Sequence, residues 1–95
     1  MSHIKARVEA LRELVKEIKN VETIFERAAL FAAIRVIADD LCEDEGLDGY
    51  AHEKAYKVKW HAGAALGFDE TNGHPLSQHR VWALGELGSL ESVTS

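Results

Sequence analysis

Ile4, Val8, Leu11, Val15 and Ile18 recur at spacings of four, three, four and three residues. That heptad pattern lays one apolar seam along a helix and predicts a helix over 3–19. Ser2 stands where an N-cap belongs. Lys5–Glu9 and Glu13–Lys16 sit at supportive helical offsets on the other faces. The seam is about as wide as one partner helix covers.

Thr23 and Glu26 have the spacing of a capping box, with Asn20 just ahead. Asn20 and Thr23 both prefer caps to helix interiors, so a break and a second helix over 24–45 are expected rather than a kinked continuation. From Ala28 to Ala38 this helix is apolar on nearly every side, and Arg27, Arg35 and Asp39 supply one thin wet stripe. Such a helix is either the buried centre of a bundle or is covered by a second subunit. With three other short helices to surround it, self-association is expected.

Gly46 and Gly49 are read as the end of that helix and the start of a turn. Over 50–66 two patterns compete. Tyr56 to Trp60 alternates like a half-buried strand, whereas Ala51, Ala55, Val58, Ala62 and Ala65 keep helical spacing over a longer stretch. The longer pattern and the alanines predict a helix, capped by Asp48. Gly67 to His74 reads as a loop with a turn at Asn72-Gly73. Pro75 then opens a fourth helix over 75–89, its apolar face supplied by Leu76, Ala83, Leu84, Leu87 and Leu90. Residues 91–95 read as a frayed tail. The expected fold is a single all-α domain, a bundle of about four helices, oligomeric through its second helix.

Charge changes this picture most. Residues 1–35 carry seven basic and five acidic side chains, residues 36–53 seven acidic and none basic, and residues 54–95 four of each. Asp39, Asp40, Glu43, Asp44, Glu45 and Asp48 therefore form an anionic run whose place at a helix C-terminus opposes the macrodipole. A dense anionic face can dock on a basic surface and speed the encounter; the plainer reading is a solvated, solubilising helix end. The formal net charge of −5 disfavours general nucleic-acid binding. One cysteine excludes an intramolecular disulfide framework and fits a reducing, cytoplasmic setting. The longest apolar run, Ala28 to Ile34, is far below the roughly 20 residues that span a bilayer, and no signal-peptide pattern opens the chain.

Chemistry-bearing motifs are sparse. His52 and His61 fall on opposite sides of a helix, His74 and His79 are five apart, and no Cys-x-x-Cys or His-x-x-x-His pattern occurs. An EF-hand register starting at Asp44 puts Gly46 and Ala55 where oxygen ligands belong. A metal site could still be assembled across helices from His52, His61, His74 or His79. Cys42 lies among carboxylates that suppress its thiolate, and no Gly-x-Ser-x-Gly elbow, Walker loop or dinucleotide fingerprint is present. An enzyme is not expected and no cofactor is implied. Lys54, Lys57, Trp60 and His61 place cations and flat rings within eight residues, an arrangement suited to a small ligand or nucleotide. The competing reading buries Trp60 and Phe31 in the core.

The preferred reading is a small acidic interaction module that occupies a basic surface of a partner protein. This is the physical profile of the small inhibitors that phages make against nucleic-acid-binding host or defence proteins, an analogy from size and charge alone. A ligand-binding helical protein using residues 54–61 is the alternative, and a metal-dependent enzyme the third.

Overall fold

The computed structural model describes residues 3–94. Four α-helices follow one another: α1 (His3–Lys16), α2 (Ile24–Glu43), α3 (Gly49–Leu66) and α4 (Leu76–Thr94), with a 3₁₀ turn over Glu17–Asn20 and no strand among the described residues. Each helix packs against its neighbours in sequence, and α4 closes back on α1. The result is a four-helix ring of 36 × 24 × 18 Å.

The α1 seam is buried as its spacing demands, with Val8, Leu11, Val15 and Ile18 at 7% exposure or less and Ile4 partly buried. Its expected cap, Ser2, lies outside the described residues. The α-helical hydrogen bonding stops at Lys16 rather than at 19, and the 3₁₀ turn still brings Ile18 into the core. Tightening the last turn satisfies backbone carbonyls where no glycine is available for a left-handed cap. The break at 20–23 is real. The Thr23 hydroxyl accepts from the Glu26 N–H at 3.0 Å, and the Glu26 carboxylate accepts from the Thr23 N–H at 2.9 Å.

Helix α2 ends at Glu43, two residues before its expected limit, and no glycine ends it. Asp44 leaves the helical region, and its carboxylate accepts the Gly46 N–H at 2.7 Å. Gly49 is the first residue of α3, behind the Asp48 cap, whose carboxylate accepts from the Ala51 N–H at 2.9 Å. Nor is α2 the centre of the bundle. Only Leu30, Ile34, Ala38 and Leu41 are fully buried, with Phe31, Ile37 and Cys42 partly so, while Phe25 and Val36 stand exposed on the far side.

Helix α3 settles the choice between strand and helix. Ala51, Ala55, Val58, Ala62 and Ala65 all enter the core, and the helix stops at Gly67, a left-handed residue with φ +91°. Small residues along this face let α2 and α4 approach its backbone closely.

Helix α4 departs from expectation at both ends. Ala83, Leu87 and Leu90 are buried and Leu84 partly so, as expected, but Leu76 is 46% exposed and His79 takes the inward place at that end. The 91–94 segment is not frayed. The Arg12 guanidinium donates twice to the Glu91 carboxylate, at 2.6 and 2.7 Å, and ties the last turn of α4 to α1. The Thr94 hydroxyl donates to the Leu90 carbonyl.

Candidate functional site

The second half of α3 and the loop behind it build the most chemically varied region of the surface. Trp60 is neither a core residue nor a free platform. It is half-buried, a ridge between two clefts.

On one side, between α2 and α3, lies a cleft of about 610 Å³. Phe31 forms its wall and stacks nearly parallel on Phe68, the ring centres 5.5 Å apart. Phe31 is therefore half-buried rather than in the core. The Arg35 guanidinium lies 5.6 Å over the same ring. Lys59 crosses Tyr56 at 5.5 Å and donates to Asp39 at 2.6 Å. This packing depends on Gly63. A Cβ there would collide with the Asp69 carboxylate and meet the Phe31 ring at 2.8 Å. The Gly63 carbonyl also accepts the Phe68 and Asp69 N–H groups, which folds the loop back over α3.

On the other side, a shallower cleft of about 300 Å³ is framed by Trp60, His61, His74, His79 and Trp82, with Glu86 and Asn72 at its rim. His79 is fully buried, and its Nε2 lies 2.8 Å from the Thr71 carbonyl oxygen. A carbonyl can only accept, so Nε2 carries the proton and neutral His79 offers a lone pair at Nδ1. The His61 Nδ1 lies 3.0 Å from that atom and must donate to it. Both tautomers are thereby fixed, and His61 is left with a bare Nε2. Burial pushes the His61 pKa below its ordinary value. The nearby His79 and Lys57 act in the same direction, and Glu86 opposes them.

Of the four histidines that a site assembled across helices would need, three come together. His61, His74 and His79 gather round Trp82, with His74 edge-on to that indole at 4.9 Å. His52 stands apart, its Nε2 donating to the Asp44 carbonyl at 2.7 Å. Among the described residues no group of three or more His, Cys, Asp or Glu side chains is placed to hold a metal ion.

The basic residues 54–59 do not join this cleft as free cations. Lys54 pairs with Glu86 at 2.8 Å and Lys57 with Glu53 at 2.9 Å. Trp60 and His61, in contrast, line it together. The signal for the missing members was weak. Trp82 lies three residues beyond His79, and only the fold shows that α4 brings both beneath the end of α3.

The acidic run is internally engaged to a degree that its own segment does not reveal. Asp39 holds Lys59, while Arg7 from α1 sits between Asp40 at 3.0 Å and Asp44 at 3.2 Å. Asp48 caps α3. The Gly46 N–H, with help from Arg7 and His3, holds the Asp44 carboxyl below its usual range. Glu43 and Glu45 remain exposed. Two cations against six carboxylates still leave this end of the molecule acidic. The Cys42 thiol is half-buried, and burial raises its pKa.

Comparison with known protein families, curated proteins and solved structures gave no match to this chain. Among the described residues no helix is long and apolar enough to cross a membrane.

Proposed function

We propose that this protein is an interaction module, a small regulator or inhibitor that occupies the surface of other chains and works as a pair joined along α2. The observation that carries the reading is the outward face of α2, where Phe25 is 82% and Val36 70% exposed. Ala29 and Ala32 lie between them at helical spacing. Large apolar side chains collected on one face of a small protein mark an interface.

A second copy suits this stripe, which is bulky at both ends and small in the middle. Antiparallel pairing sets Phe25 of one chain against Val36 of the other and Ala29 opposite Ala32. The two macrodipoles then oppose each other, the favourable alignment. The pair leaves Glu43 and Glu45 free for a partner with a basic surface. A half-buried thiol with a raised pKa is compatible with the reducing cytoplasm.

Sedimentation equilibrium tests the pairing. At micromolar concentration the mass should be twice 10.5 kDa, and Phe25→Glu with Val36→Glu should return it to the monomer value without loss of helicity. A monomer that persists at millimolar concentration overturns the reading.

A further inference from the structure

We propose that the cleft between the end of α3, the 71–74 loop and α4 binds a guanidinium group. The site is independent of α2 pairing, since none of its lining residues belongs to that helix.

The argument begins with His61. The ring is 8% exposed, and its Nδ1–H is committed to His79, which is itself committed to the Thr71 carbonyl. The remaining nitrogen, Nε2, has no hydrogen-bond partner among the described residues. The ring is nearly buried, but this nitrogen is not among the fully enclosed polar atoms without a partner. It therefore opens on the cleft as an acceptor of fixed direction that a donor from outside can reach.

The surroundings select the shape of that donor. Trp60 and Trp82 lie against His61, with ring centres 4.5 and 5.4 Å from it. Indole faces favour flat groups, and favour flat cations most. Charge selects further. Glu86 is the one charged residue among the cleft's lining residues, and Lys54 engages only its Oε1. No lysine or arginine lines the cleft to receive a phosphate, which disfavours a nucleotide. A guanidinium is planar, cationic, rich in N–H donors and able to stack on an indole. It can donate to His61 Nε2 and to Glu86 while lying on a tryptophan face. An ammonium has the charge but not the plane.

Two sources share this chemistry: an arginine side chain on a partner protein, and a free guanidino compound. The test is a titration of the isotopically labelled protein followed by NMR, using N-acetyl-arginine methylamide and its lysine counterpart as probes. The arginine probe should give saturable shifts centred on Trp60, His61, His74 and Trp82, and should bind about tenfold or more tighter than the lysine probe. His61→Phe, which keeps a ring but removes the acceptor, should lose that preference. If His61→Phe does not fold, the comparison of the two probes on the unaltered protein still decides the matter. Equal binding of both probes, shifts centred elsewhere, or no shifts at millimolar probe overturn the proposal. A short arginine-containing peptide separates the sources. Tighter binding than the blocked amino acid, with shifts spreading beyond the cleft, points to a partner chain. Equal binding confined to the cleft points to a small guanidino ligand.

Discussion

The Nδ1 atoms of His61 and His79 face each other at 3.0 Å, joined by a single proton that the Thr71 carbonyl fixes on the His61 side. An added proton fits at His61 Nε2 without disturbing this chain. A second, on His79 Nδ1, would confront the His61 N–H and break the contact. The geometry thus leaves one place for an added proton, His61 Nε2, and burial opposes its uptake there.

A pH dependence follows from the lowered pKa of His61. In the unfolded chain this imidazole takes up a proton at about 6.5, whereas in the folded protein burial delays uptake to lower pH. Between those limits the unfolded state binds more protons, so acid favours unfolding. The stability of this site should be complete above pH of about 6.5 and should fall as the pH drops below it. Denaturant unfolding between pH 5 and 8, a range of about three units round that value, should show this slope. His61→Phe should flatten it. An unchanged slope would mean that the dependence comes from other groups.

Gly63 is the second point of tension. Because a methyl group there meets both the Asp69 carboxylate and the Phe31 ring, Gly63→Ala should destabilise the protein by about 1–3 kcal/mol, the usual cost of overpacking. Combining it with Asp69→Ala should recover part of the loss, since Asp69 is on a loop. The Phe31 contact remains, on a packed helix. Urea denaturation of the two single variants and the double variant measures the coupling.

How much of this was legible follows from where each signal resides. The α1 seam, the Thr23–Glu26 capping box and the Ala51–Ala65 spacing lie within single elements, and a chain read in order displays them. Arg7 is different. It is 33 residues from Asp40 in the chain, and nothing near the acidic run announces the cation that sits within it. The same holds for Arg12 and Glu91, without which a C-terminal turn containing Ser92, Val93 and Thr94 reads as frayed. His79 is different again: a buried histidine needs hydrogen-bond partners, and its partners come from α3 and the 71–74 loop. Local pattern carries the elements. The candidate site depends on contacts that only the folded chain creates.

The Arg12–Glu91 pair makes the next prediction. Both hydrogen bonds are short and the geometry is forked, but the side chains are about one-third exposed, so screening limits the gain. Glu91→Gln should cost about 0.5–1 kcal/mol and should increase amide exchange from residue 91 onward more than in the rest of α4. A double-mutant cycle with Arg12→Ala isolates the pair. Unaltered exchange at the end of α4 would show that Leu90 burial alone holds the terminus.

The acidic end of α2 separates stability from docking. From the sequence alone, replacing Asp40 and Asp44 with lysine should raise or leave unaltered the stability of the free protein, because cations suit a helix C-terminus. The structure reverses that expectation. Both carboxylates hold Arg7, and Asp44 also accepts the Gly46 N–H that closes the turn after α2. Asp40→Lys with Asp44→Lys should therefore lower the unfolding midpoint and release α1 from this end of the bundle. Any accompanying loss of partner binding would be uninterpretable. Glu43 and Glu45 are exposed, and neither takes part in the ion pairs of this end. Glu43→Lys with Glu45→Lys should leave the unfolding free energy within about 0.5 kcal/mol of the original. The same variant should slow association with a basic partner and flatten its salt dependence. Stopped-flow association rates at two salt concentrations read that difference directly. If the variant associates at the original rate with the original salt response, the acidic end serves solubility and the turn, and docking belongs elsewhere on the surface.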